Sequence, residues 1–468
     1  MRSMTRIAGA LLLLGGLTTA CSQQEENTQA PAKETTAQSG FNIDVHYSTL
    51  DNGLKVVLAP DNSVPTATIA VYYNIGFRNE PRDRTGFAHL FEHMMFEGSE
   101  KLPEGAFDDL VLGNGGVLNG STRFDFTNYF EVVPSHQLER IIWAEADRMA
   151  GLSITETNLA QQQGVVKNEV KVNVLNRPYG GFPWLDMPQY ANENWHNAHN
   201  FYGELSDLDA ATLEDVSAFF DTFYAPNNAV VVVAGDIDVA QTQAWVEKYF
   251  GPLEPRDQPA MPDLSEPKQT AEKTAMKEDK LAPRPALAFG YHVPERNSPE
   301  WYAFGLLDIL ALQGSDSALY QKLVKEKGYS SNIFGGVNML GNMFNYNGPM
   351  LWIGALIHDP SATGDDIMAD VEATLATYRD TPVSAEDLER ARTKVRSTLY
   401  DLAGSSSRFG LVDLLAVFAL FDDNPARIND IETGFEAVTP ELIQATAQAY
   451  LVPENRTVLT VQPAPQGE

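Results

Sequence analysis

The chain has a single cysteine, Cys21, among 468 residues, so no intrachain disulfide can form. It is also poor in positive charge: 33 Lys and Arg stand against 63 Asp and Glu, giving a formal charge of −30. A surface of that sign repels phosphate backbones and anionic headgroups, which argues against nucleic acid as a partner. Peptides that carry positive charge are compatible with it. No apolar run reaches the roughly 20 residues that a bilayer span requires. Glycine and proline, at 34 and 27 residues, are too few for a collagen-like or low-complexity chain. What is present is 43% hydrophobic and 10% aromatic, enough for a sizeable packed core. The length corresponds to roughly two to four domains.

The N-terminus reads as an export signal. Arg2 and Arg6 flank an apolar stretch from Ile7 to Leu17 that ends in small residues, the pattern of a cleaved leader. Leu17-Thr18-Thr19-Ala20-Cys21 resembles a bacterial lipoprotein signal, in which the cysteine is lipidated and becomes the first mature residue. Thr18 stands where such signals usually have an aliphatic residue, and an ordinary secretory signal is the competing reading. Ser22, rather than Asp, follows the cysteine, which favours sorting to the outer membrane. The expectation is a lipid-anchored protein of the bacterial cell envelope, on the outer membrane and facing the periplasm. Residues 1–20 are assigned to the signal. Residues 21–40, with almost no large apolar side chain, are assigned to a flexible tether.

Asp51-Asn52-Gly53 between two strand-like runs predicts a hairpin, and a third strand is expected over 66–75. Two later segments match each other. Thr212-Leu-Glu-Asp-Val, Tyr224-Ala-Pro226 and a valine run recur as Thr439-Pro-Glu-Leu-Ile, Tyr450-Leu-Val-Pro453 and Thr457–Val461. Both the threonines and the prolines are 227 residues apart, so each copy reads as a capped helix, a proline turn and a buried strand. The expected architecture is α+β, with a first half over 41–252, a Pro-rich, charged connection over 253–283, and a second half over 284–468.

The chemistry is concentrated in His89-Leu-Phe-Glu92-His93. Thr85 and Gly98 bracket it as an expected helix cap and helix end. Four residues apart, His89 and His93 share a helix face, with Glu92 beside them. Two imidazoles one turn apart can hold one Zn²⁺, and an adjacent carboxylate is placed to take a proton from a metal-activated water. A run of this kind is expected about 0.02 times by chance in a chain of this composition. The competing reading is a helix whose histidines satisfy hydrogen bonds in a core.

The H-x-x-E-H order resembles the inverzincin signature of the pitrilysin/insulinase family. The resemblance implies that Glu169, in Val165-Val-Lys-Asn-Glu169-Val, is the third ligand of one Zn²⁺ per chain, on a helix spanning about 156–174. The family usually has an acid seven residues earlier, where this chain has Gln162. Asn119-Gly120-Ser121-Thr122, followed by Asp125 to Tyr129, looks like the family segment that forms an edge strand on which extended substrate adds. Asn119, Gly120 and Ser121 are thereby implied to bind substrate. Glu145-Ala-Asp-Arg148-Met149 also matches a family helix with a structural role.

Aligning Gly314-Ser315 with Gly98-Ser99 sets Gly305, Asp308 and Ile309 opposite His89, Glu92 and His93, so the second half has no metal motif. Family members often carry Arg and Tyr where this chain has Ala318 and Ser331, and nearby Tyr329 is the candidate substitute for substrate binding. His196 and His199, in an aromatic-rich irregular stretch, read as structural rather than as a second metal pair.

The resemblance implies two homologous α/β-sandwich halves forming a clamshell around a substrate chamber, with closure by a second copy or by a paired homologous subunit. The implied activity is that of a zinc endopeptidase cleaving short or unfolded peptides, with Glu92 as general base. Two other classes remain: a non-catalytic or half-active subunit of a two-chain peptidase, and an envelope peptide-binding lipoprotein without zinc dependence.

Overall fold

A computed structural model describes residues 42–464. The expected signal, the expected lipidation site Cys21 and the expected tether lie outside them. Among the described residues no single helix is long and apolar enough to cross a membrane.

The strands form two sheets. The first contains β1 (His46–Thr49), β2 (Lys55–Pro60), β3 (Thr66–Tyr73), β4 (Val117–Thr122), β5 (Thr127–Pro134) and β6 (Ala229–Gly235), in spatial order β1-β2-β6-β3-β5-β4. The second contains β7 (Lys273–Asp279), β8 (Ala286–His292), β9 (Phe334–Val337), β10 (Leu351–Ile357) and β11 (Arg456–Pro463), in order β7-β11-β8-β10-β9. In each sheet the last strand pairs parallel with one neighbour and antiparallel with the other: β6 with β2 and β3, β11 with β7 and β8. Two antiparallel strands then lead to an edge, β5 to β4 and β10 to β9. The second sheet therefore repeats the first without β1, and the chain is α+β with two homologous halves.

The local signals behind the duplication act as expected. The Thr212 hydroxyl accepts from the Asp215 amide at 3.2 Å and starts the helix Leu213–Phe223. The Thr439 hydroxyl accepts from the Leu442 amide at 3.2 Å and starts the helix Pro440–Tyr450. Each is followed by a proline-led turn and then by β6 or β11. The connection over 253–283 departs from expectation, because its last third is the strand β7. Lys273-Thr-Ala-Met-Lys-Glu-Asp279 has no apolar stripe, and its pairing with β11 lies far away in sequence, so no local pattern announces it.

Alternation along β2 sends Val56 and Leu58 to one core and Val57 and Ala59 to another. The first core holds the helix Phe87–Met94. The second includes the helix Phe409–Asp422, whose residues Leu411 to Ala419 are all buried; the one polar side chain among them, Asp413, accepts from the Tyr72 hydroxyl at 2.9 Å. The Lys55 ammonium donates to the Ala419 carbonyl at 2.8 Å and the Thr68 hydroxyl donates to the Ser407 carbonyl, so the second half is anchored onto the first sheet.

Beneath β5, the buried Arg148 guanidinium bonds the carboxylates of Glu145 and Glu131, the latter at 3.3 Å. It also reaches the Met95 carbonyl just past the end of the Phe87–Met94 helix. Arg148→Met leaves buried carboxylate without its cation, and an unfolding free energy lower by about 3–5 kcal/mol is expected in denaturant titration.

Candidate metal centre

Phe87, Leu90, Phe91 and Met94 fall at helical spacing and bury one face of their helix; Phe91 stacks on Phe219 at 5.0 Å. His89, Glu92 and His93 are left on the other side. The helix start differs from expectation. Gly86, with φ 83°, is the N-cap residue, and the buried Glu80 carboxylate accepts from the Gly86 and Ala88 amides at 2.9 and 2.6 Å. Thr85 caps nothing, because its hydroxyl donates to Asp207 at 2.6 Å and accepts from the Glu204 amide at 2.9 Å. Gly98 does not end the helix either: the last helical residue is Met94, and Gly98 makes a later turn at φ 104°.

Glu169 arrives on the helix Glu156–Val170, which starts at a reciprocal cap between Thr155 and Asn158 and continues as a π-helical turn over Lys171–Leu175. One Glu169 oxygen lies 3.6 Å from His89 Nε2 and 3.4 Å from His93 Nε2. Bonds of about 2.0–2.1 Å in a tetrahedron put ligand atoms about 3.3–3.4 Å apart, close to both Glu169–imidazole separations, and all three donor atoms lie within 4.8 Å of one another. They are the one such His/Cys/Asp/Glu group among the described residues. Burial holds the His89 imidazole below its usual pKa, and the hydrogen bond from His93 holds the Glu169 carboxyl below its own. Neutral imidazole and ionised carboxylate are the forms that bind metal.

Glu92 accepts a 2.7 Å hydrogen bond from the Thr122 hydroxyl at the end of β4. Gly120, two residues earlier, faces the same helix: a Cβ there would lie 3.3 Å from Glu92 Cγ and 3.2 Å from the Tyr129 ring. The absent side chain is thus the space that Glu92 occupies. Gly120→Val crowds Glu92 and the Tyr129 ring, and an unfolding free energy lower by about 1–3 kcal/mol is expected in denaturant titration. Asn119 and Ser121 alternate to the other face, where the Ser121 hydroxyl donates to Asn128 at 2.6 Å. β4 is an edge of its sheet, with one side paired to β5 and the other open.

Tyr329 is not brought to this cluster. Its hydroxyl donates to Asp370 at 2.7 Å, within the second half, and that carboxylate pushes its pKa up to about 12. Asp308, opposite Glu92 in the alignment, is a buried carboxylate capped by Trp352 Nε1 at 2.6 Å, with its pKa raised to about 6 by burial. No histidine accompanies it, as the sequence alignment requires. His199 stacks on Trp195 at 4.2 Å, and His196 Nδ1 contacts the Arg78 carbonyl at 2.7 Å, so the pair is held by packing and backbone. Gln162 donates to the buried Glu97.

Thr122, Glu80 and Tyr202 escaped the sequence reading as site residues. Tyr202 lies edge-on to His89, with ring centroids 5.2 Å apart. Burial and the neighbouring carboxylates raise its pKa to about 12, so it stays a donor. Nothing local signals this, because the loop is joined to the centre only by the fold.

Two family models match the chain. One described as Insulinase (Peptidase family M16) matches residues 55–193, the span holding His89, Glu92, His93 and Glu169. One described as Peptidase M16 inactive domain matches residues 210–395. The chain is 27% identical over 425 residues to the zinc protease PqqE of Helicobacter pylori, covering 89% of this chain and 92% of that protein. The crystal structure of a protease from Helicobacter pylori superposes with a TM-score of 0.82 at 25% identity, over 90% of this chain and 100% of that one. The periplasmic protease PqqL of Escherichia coli matches with a TM-score of 0.70 at 17% identity, over 91% of this chain but 48% of PqqL, so one copy of this fold spans about half of that protein.

Proposed function

The chain belongs to the insulinase (peptidase M16) family, and on that premise we propose that it is a zinc-dependent endopeptidase cleaving short or unfolded peptides in the bacterial cell envelope. The observation that carries the reading is the convergence of His89, His93 and Glu169 at zinc-ligand spacing beside Glu92. His89, His93 and Glu169 would hold the zinc ion, which would supply Lewis-acid polarisation of a peptide carbonyl and make water more acidic. Glu92, oriented by Thr122, takes the proton of the attacking water and returns it to the leaving amine. The open edge of β4, at Asn119 to Ser121, pairs with an extended substrate through backbone hydrogen bonds, which selects flexibility more than sequence. Anchoring through Cys21 and a periplasmic address are part of the proposal, and the periplasmic relative supports the compartment.

A half-active subunit is the second reading. It is favoured by the inactive-domain match over the second half and by Tyr329, which is engaged with Asp370 instead of reaching the centre. A second copy or a paired homologous chain would then complete the site.

The test is digestion of a pool of unstructured peptides by the chain from Ser22 onward, read by mass spectrometry before and after chelation. Cleavage that stops on chelation and returns with zinc is the expected result. Zinc uptake without cleavage favours the half-active reading, and no zinc uptake overturns the proposal.

A further inference from the structure

Glu169 is the second-last residue of the helix Glu156–Val170, and its side chain is partly exposed. The π-helical turn Lys171–Leu175 that follows buries none of its residues, and Asn176, Arg177 and Pro178 after it are exposed. This stretch has little packing of its own to hold the end of the ligand helix. The residues beyond it do, and they pack on the second sheet although they precede the second half in sequence. Phe182, Met187 and Ala191 are buried with Ala288 of β8, Ile353 of β10 and Leu459 of β11. Gly290 in β8 leaves the room for this contact: a Cβ there would fall 3.2 Å from Met187 Cγ.

Polar contacts fasten the same segment to β7 and the turn after it. The Tyr179 amide donates to Asp279 at 2.7 Å, and the Tyr179 hydroxyl donates to the Arg284 carbonyl at 2.8 Å. The Lys277 ammonium donates to the two Asp186 oxygens at 2.9 and 2.8 Å and to the Gly180 carbonyl at 3.4 Å. The clamped segment lies back on the π-helical turn: a Cβ on Gly180 would fall on the Val174 carbonyl, so the two backbones touch. A continuous path of contacts therefore runs from β7 through Lys277, Gly180 and Val174 to the end of the helix that carries Glu169. His89 and His93 stand instead on a helix packed in the first core. The spacing of the three donors thus depends on how the second half holds the third.

We propose that Lys277 is a positioning residue for the metal centre, holding the end of the Glu169 helix in register with His89 and His93 through Asp186 and Gly180. The inference rests on the zinc reading above and deepens it, giving the half without a metal motif a role at a centre it does not line. Side chains along such a path, touching no ligand, change the coupling by about 3–30-fold.

The test is Lys277→Met in the full chain, which keeps the length of the side chain and removes the ammonium. Arg296→Met is the comparison, because it takes a buried cation from Asp422 elsewhere in the second half. Zinc affinity is measured by competition with a chromogenic chelator, beside the melting temperature of each metal-free protein. The expected result is a zinc Kd about 3–30-fold weaker in Lys277→Met and unchanged in Arg296→Met, with both variants melting below wild type. A change of less than threefold in Lys277→Met overturns the proposal. An equal weakening in Arg296→Met also overturns it, because the effect is then one of general stability. If wild type takes up no zinc, the zinc reading falls and this inference with it; if wild type binds zinc and Lys277→Met matches it, only this inference falls.

Discussion

Glu92→Gln abolishes peptide cleavage while leaving zinc in place: the expected loss in kcat is about 10²–10⁴-fold, the range for removing a positioned general base. Glutamine has the shape of glutamate and keeps an oxygen to accept the Thr122 hydroxyl, so the local packing beside Gly120 is preserved. What it cannot do is take a proton. The three atoms at ligand spacing come from His89, His93 and Glu169, and Glu92 is not among them. Zinc stoichiometry should therefore equal wild type while turnover of a fluorogenic peptide collapses. If the variant retains more than a tenth of wild-type kcat, Glu92 is not the base.

His93→Ala has the opposite signature. It removes one of three donors from a site whose remaining two cannot close a tetrahedron, so zinc uptake and cleavage are lost together. The thermal readout is as informative as the kinetic one. A metal that binds only the folded chain raises stability by about 2.7 kcal/mol at 100 times its Kd. Wild type should melt higher with added zinc, and His93→Ala should show no shift. The metal-free variant should lose no more than the His93–Glu169 hydrogen bond contributes, about 1 kcal/mol relative to metal-free wild type. In that state His93 is packed in no core: it is partly exposed beside Glu169, and His89 Nδ1 is buried without a partner. A zinc-dependent melting shift in His93→Ala comparable to wild type would place the metal elsewhere.

The helix geometry behind both expectations is local, and it was legible in the chain. Histidines four apart with a carboxylate between them fall on one face of any helix, and Phe87, Leu90, Phe91 and Met94 mark the opposite face as buried. The hairpin at Asp51-Asn52-Gly53, the Thr212 and Thr439 caps and the proline turns after them are likewise set by residues within a few positions of one another. The identity of the cap on the His89 helix was misread. Thr85 has the right chemistry at the right place, but Glu80 from the preceding turn reaches the same amides while Asp207 and Glu204 claim the threonine.

By itself, then, the sequence determined the elements whose causes are short-range: helix faces, caps and turns, and the internal repeat that doubles them into an α+β pair. Tertiary structure alone decided which distant groups meet. It brought Glu169 to within 3.6 Å of both imidazoles, set Thr122 against Glu92, laid Tyr202 beside His89, and kept Tyr329 with Asp370. It also paired the polar β7 with β11 from the far end of the chain. The physical reason is one of range. Backbone periodicity and capping act over about one helical turn, whereas the approach of two elements depends on which faces can be buried together, as with Gly86 on Gly203, and no single segment encodes that.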